Sequence, residues 1–267
     1  MSIYVELHGR GLHGGEPAKL RLDPRPGPLL FQLGPDTASL GELEVVRADH
    51  GVKVRARDGT HEVDLFEHLL AALAGMSIRS GLTLSVEGPE VPLLDGGAHE
   101  LARAIAMLGL RREATRLCVA RAGELEIGTS RYRFEPGPRP QLRVEVDYGF
   151  GREVAEHGGS EREFLERIAP ARTFGFERDA LDLRAAGRAR HVDPAAVLVL
   201  DATGRTLPPC RPAGEAELAR HKLLDWMGDL FLFGGPPRGR VEAWRPGHAA
   251  NHEMAKQALA CGLLAEE

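Results

Sequence analysis

The chain has 267 residues, 43% apolar and 27% charged, with a formal net charge of −5. That length accommodates one large domain or two smaller ones, and the composition is that of an ordinary globule. With a pI near 6.1 there is no basic field for nucleic acid or anionic lipid, and with no basic-then-apolar leader and no run of about 18 apolar residues, neither a signal peptide nor a membrane span is expected.

Short strands are expected at 3–7, 19–22 and 29–33, separated by Gly and Pro turns. A helix follows over 62–73, with Gly75 placed to end it, then a strand at 82–86 and, after Gly96-Gly97, an amphipathic helix over 98–108. The charged break at 111–115 suggests a boundary between domains 1–112 and 113–267. Beyond it the order recurs. Strands are expected at 117–120, 124–127, 131–134 and 141–147, helical pieces at 161–168 and 178–186, and a strand at 197–200. A long helix over 215–233, a strand at 241–244 and a closing helix from 249 complete the chain. Strands and helices segregated within each half argue for α+β architecture. Cys118, Cys210 and Cys261 are far apart, odd in number and match no Cys-x-x-Cys pattern, so they read as reduced thiols of a cytoplasmic protein.

On the long helix, His221, Asp225 and Asp229 are spaced four apart and stack in one polar column, while Leu223, Leu224, Met227, Leu230 and Phe231 cover much of the remainder. Such a column is costly to bury without partners, and an imidazole and a carboxylate one turn apart can share a divalent cation. A solvated face with a chance histidine is the plain alternative. Glu67-His68 sits near the start of the helix that holds a similar place in the first half. This sets His68 against His221 and completes a His, His, Asp set that leaves one position open for water, with a carboxylate alongside to take its proton. His248, after Pro246-Gly247, is either a surface residue or a general acid. Thr173 and Phe174, in Ala171-Arg172-Thr173-Phe174-Gly175-Phe176, are either a cap and a core ring or an oxyanion donor and a stacking surface. Lysine is scarce (Lys19, Lys53, Lys222 and Lys256), so Lys222 beside His221 stands out from the many arginines.

Six segments occur in order: Gly11-Leu12-His13-Gly14-Gly15, Phe66 to Leu73, Glu90-Val91-Pro92-Leu93-Leu94-Asp95-Gly96, Ala171 to Phe176, Arg220 to Asp225 with Gly228-Asp229-Leu230, and Gly247-His248-Ala249. Together they resemble the zinc-dependent UDP-3-O-acyl-N-acetylglucosamine deacetylases of lipid A biosynthesis. The resemblance implies two similar α+β domains, each a small, mostly antiparallel sheet on helices, with the helix layers facing and the metal at their junction. It implies that His68, His221 and Asp225 bind Zn2+, and iron(II) accepts the same donors. Glu67 would be the general base, His248 the general acid held by Asp229, and Thr173 an oxyanion donor. Lys222 would face substrate phosphate, Phe174 the nucleotide–sugar portion, and His13 the border of the site. It further implies a small-molecule nucleotide-sugar substrate and a monomer.

Three departures from the family pattern stand out. Leu65 and Phe66 occupy positions where the family usually has Thr-Val, residues 45–60 do not follow it, and the segment 187–194, with Arg188, Arg190 and the nearby Arg184, replaces one that borders the family's apolar acyl passage. Three readings follow: the lipid A precursor deacetylase, a paralogue acting on another N-acetylated sugar or sugar nucleotide with a short or absent acyl chain, and a non-catalytic binding protein retaining the fold.

Overall fold

The computed structural model describes residues 4–266; Ile3 of the expected first strand and the outermost residues of both expected domains lie outside them. The first half contains β1 (Val5–Arg10), β2 (Pro17–Pro28), β3 (Leu30–Leu33) and β4 (Asp36–Ser39), then β5 (Leu43–Ala48), β6 (Val52–Ala56) and β7 (Glu62–Val63). It closes with α1 (Glu67–Gly75), β8 (Ser80–Glu87) and α2 (His99–Met107). The second contains β9 (Leu117–Val119), β10 (Gly123–Ile127), β11 (Ser130–Glu135), β12 (Pro140–Asp147) and β13 (Arg152–His157). A short α3 (Glu161–Glu163) runs into a π-turn (Phe164–Ile168), followed by β14 (Thr173–Phe176), α4 (Glu177–Ala185) and β15 (Val197–Leu200). Last come α5 (Glu217–Phe231), β16 (Gly239–Trp244), α6 (His248–Ala260) and β17 (Leu264–Glu266).

The two large sheets have the same plan. One runs β1-β2-β8-β3-β4 and the other β10-β11-β16-β12-β13. In each, a single parallel pair (β3 with β8, β12 with β16) sits among antiparallel neighbours. Apart from the β9–β17 pair and the short α3, each half reads four strands, an insertion, a helix, a strand and a helix. The insertion is the three-stranded β5-β6-β7 sheet in the first half and the parallel β14–β15 pair with α4 in the second. The fold is α+β.

Period-2 alternation builds the sheets: Leu82, Leu84 and Val86 of β8, and Leu142, Val144 and Val146 of β12, are buried while their neighbours are less so. Leu and Ala, strong helix formers, fill α1, all of whose residues are buried. It packs on α5, which lies on β12 and β13, and one apolar core runs from sheet to sheet through the helices. No helix among the described residues is long and apolar enough to cross a membrane.

Some element bounds differ from expectation. The helix expected from 62 begins at Glu67, because Glu62–Val63 pairs with β6 and Leu65 turns the chain with φ +58°. The closing helix starts at His248, so the histidine is its first residue. Residues 173–176, where no element is expected from the sequence, form a strand through pairing with β15.

Candidate active site

The site forms where the start of α1 meets the middle of α5. Gly228 allows the contact: a Cβ there would lie 2.1 Å from the Glu67 carbonyl oxygen. Its absence lets the two backbones close, so the first turn of α1, with Glu67 and His68, reaches the polar column of α5.

His68 Nε2 and His221 Nε2 each lie 3.5 Å from the same atom, Asp225 Oδ1. The two rings meet edge to face, with centroids 5.2 Å apart. One donor atom from each of the three residues lies within 4.8 Å of the others. His221 Nδ1–H donates to Ala171 O at 3.0 Å, which leaves the Nε2 lone pair facing the cluster. Burial pushes His221 down to about 4, keeping it neutral. Asp225 Oδ2 accepts from Lys222 Nζ at 2.8 Å, yet Oδ1, fully buried, has no hydrogen-bond partner among the described residues. An unpartnered carboxylate oxygen between two imidazole nitrogens is costly unless a cation takes it, and two imidazoles with a carboxylate suit a divalent transition metal. The residues fit the ion.

Glu67, buried beside this cluster, accepts from Val52 N–H at 2.8 Å through Oε2. Burial raises its carboxyl, partly opposed by His248 and His68. His248 Nδ1 lies 3.1 and 3.0 Å from the two Asp229 oxygens, and its Nε2 lies 3.8 Å from Asp225 Oδ2. Burial works against its charged form, but the carboxylates of Asp229 and Asp225 outweigh burial and lift the imidazole to about 9. Asp229 also accepts from Asn251 Nδ2 at 2.7 Å and His252 Nε2 at 2.9 Å, and Asn251 Oδ1 accepts from Tyr132 Oη at 2.7 Å. Burial works against the charged form of Asp229, but His248 and His252 outweigh it and hold the carboxyl below the usual range.

Glu67, His68, His221, Asp225 and His248 line a cavity of about 540 Å³ that also takes in Tyr148, Phe174, Lys222 and Arg245. A separate cavity of about 640 Å³ holds Asp95, Arg172 and Glu217 but none of the cluster; its size marks no chemistry. Phe174 lies 5.6 Å from the His221 ring and 5.3 Å from Lys222 Nζ. Thr173 Oγ1 lines the cavity but donates to Gly96 O at 2.8 Å. The loop before Thr173 is fixed by a buried ion pair, Arg172 Nε to Glu217 Oε1 at 2.8 Å.

The sequence profile of the UDP-3-O-acyl N-acetylglycosamine deacetylase family matches residues 2–260. The chain belongs to this family. A Myxococcus xanthus (strain DK1622) protein named UDP-3-O-acyl-N-acetylglucosamine deacetylase is 34% identical over 97% of this chain and 85% of its own length. Brucella melitensis biotype 2 (strain ATCC 23457) has a protein of the same name, 33% identical over 96% of this chain and 92% of its own.

Of the residues expected from sequence, His68, His221, Asp225, Glu67, His248, Thr173, Lys222 and Phe174 all line the one cavity, with Asp229 directly behind His248. His13 does not: Leu12 takes the place on the wall, while His13 Nε2 lies 3.0 Å from both His50 O and Arg188 Nη2. Its loop is held by Glu90, whose two oxygens accept from the His13 and Gly14 N–H groups at 2.8 and 2.5 Å. Sequence reasoning passed over Asn251, His252 and Tyr132. The first two were within reach, since three and four residues after His248 they share its face of a helix; Tyr132 arrives only through folding. Arg245, an exposed cation on the cavity wall, was also passed over.

Proposed function

We propose that the protein hydrolyses the N-acetyl amide of UDP-3-O-(hydroxyacyl)-N-acetylglucosamine, releasing acetate, the committed step of lipid A biosynthesis. The observation that carries this reading is the juxtaposition, in one cavity, of the His68–His221–Asp225 cluster with a buried carboxyl whose affinity for protons is raised and an imidazole paired to a buried carboxylate. The names of the relatives supply the substrate.

His68, His221 and Asp225 would hold Zn2+, which supplies Lewis acidity to water and to the amide carbonyl. Glu67 takes a proton from the attacking water, whose oxygen bonds to the acetyl carbon. His248, kept protonated by Asp229, gives its Nε2 proton to the departing nitrogen as the C–N bond breaks. Thr173 supports the developing oxyanion by turning its hydroxyl away from Gly96 O. Lys222 and Arg245 provide charge for the diphosphate, and Phe174 with Tyr148 an apolar surface for the nucleotide–sugar portion. His13 acts indirectly, as part of the wall behind Leu12.

We divide the chain into domains 1–112 and 113–267; the repeated strand plan supports the division. Because one chain supplies every group named, the working unit is a monomer. The odd number and wide spacing of Cys118, Cys210 and Cys261 support a cytoplasmic setting. A deacetylase for a sugar nucleotide with a short or absent acyl chain is the second reading, favoured by the contacts of segment 187–194.

The test is acetate release from the acylated nucleotide sugar by zinc-loaded protein. Turnover that disappears in Glu67→Gln with zinc retained is the expected result, and no acetate from any UDP-N-acetylglucosamine derivative would sink the reading.

A further inference from the structure

We infer that Arg188 closes the apolar end of the catalytic cavity and so restricts the substrate to one with a short 3-O-acyl group. This rests on the deacetylase reading and concerns which substrate the same site admits.

Segment 188–191 joins α4 to β15 and runs along the loop that follows β1. Arg190 N–H donates to His13 O at 2.9 Å and His191 N–H to Leu12 O at 3.1 Å. Arg188 extends this seam to the turn between β5 and β6. Its Nη1 donates to Asp49 Oδ2 at 3.1 Å, and its Nη2 lies 3.1 Å from Asp49 O, 3.0 Å from His50 O and 3.0 Å from His13 Nε2. Only 11% of the Arg188 side chain is exposed. A planar guanidinium with fixed donors suits such a many-partnered tie.

The tie backs the part of the cavity that suits hydrocarbon. Leu12 and Leu65, which belong to one apolar cluster with Leu93, Ala196 and Val197, line the cavity together with His50 and Gly51 of the turn whose His50 carbonyl the guanidinium holds. An alkyl chain that stops against these side chains disturbs nothing. A longer one, to pass between the loop after β1 and segment 188–191, must part the guanidinium from Asp49 and from two carbonyls, leaving a charge and several polar groups facing hydrocarbon. The two insertions, one from each half, thus meet at a polar seam where a long chain would need an opening.

The experiment compares kcat/KM of zinc-loaded protein on UDP-N-acetylglucosamine carrying a four-carbon or a fourteen-carbon 3-O-acyl group. Wild type should favour the short chain by about tenfold or more, and Arg188→Ala should move the ratio toward the long chain by about tenfold while keeping the short-chain value. Asp49→Ala, which cuts the same tie at an exposed carboxylate, should shift the ratio the same way and answers the question if the Arg188 variant does not fold. A wild type that hydrolyses both chains equally well, or variants that leave the ratio unchanged, would overturn the inference while leaving the deacetylase reading intact. Failure to hydrolyse either compound would overturn the reading beneath it.

Discussion

His248 shows how much one buried contact decides. Its two-point hydrogen bond to Asp229 fixes the proton on Nδ1, aims Nε2 into the cavity and keeps the ring charged up to about pH 9. His248→Ala should therefore keep its zinc and lose roughly two to four orders of magnitude in turnover; full activity in that variant would remove the general-acid role. The pH profile of kcat/KM should be bell-shaped, rising as Glu67 loses its proton and falling as His248 loses its own. The His248 variant should lack the alkaline limb, and a wild-type profile that does not fall as pH rises through about 9 would contradict the assignment. The same pair bears on stability. Because the folded-state value of His248 is raised from 6.5 to about 9, its contribution is complete below pH 6.5 and is lost as pH rises through 9. Urea midpoints should fall across that window in wild type, and less in His248→Ala. At the cation site, Asp225→Ala should lower zinc affinity by at least about a hundredfold, more than loss of a supporting contact would.

At the scale of elements, the site depends on the closeness of α1 and α5. Gly228→Ala places a methyl group inside the contact distance of the Glu67 carbonyl, so the helices must separate. We expect a loss of about 1–3 kcal/mol in unfolding free energy together with weaker zinc binding, since His68 moves with α1. A variant with wild-type urea midpoint and zinc affinity would show that the close approach is dispensable. The helices were legible in the sequence because apolar periodicity and terminal glycines are local signals: the helix expected over 215–233 is α5 over Glu217–Phe231. Strand β6 was equally legible, with Val52, Val54 and Ala56 buried between Lys53 and Arg55, but was passed over. Strand β14 was not, since Thr173–Phe176 has no alternation and becomes extended by pairing with β15.

For the whole molecule, the repeated plan of the two sheets gives the site its symmetry: each half offers the first helix after its insertion, and the cation donors come one from α1 and two from α5. A metal ion held by His68, His221 and Asp225 would link the halves, so that folding and metal binding would be coupled; zinc is the ion proposed. Removing it with a chelator should lower stability by about 4 kcal/mol relative to protein in zinc at a thousandfold its Kd, seen as a lower Tm that returns when zinc is restored. An unchanged Tm would mean that the ion does not bind preferentially to the folded chain. The amino-acid sequence by itself determined the α+β class and the column of His221, Asp225 and Asp229 on one helix face, because periodicity and spacing are properties of neighbours along the chain, whereas the roles expected of Glu67, His248 and Thr173 came from the resemblance of six separated segments to a family. Only the tertiary structure decided that His13 is held by His50 O and Arg188, that Tyr132 reaches Asn251, and that Arg188 reaches Asp49. Those contacts join residues up to 175 positions apart; the pairing is chosen by packing and the burial of charge, which no local pattern records.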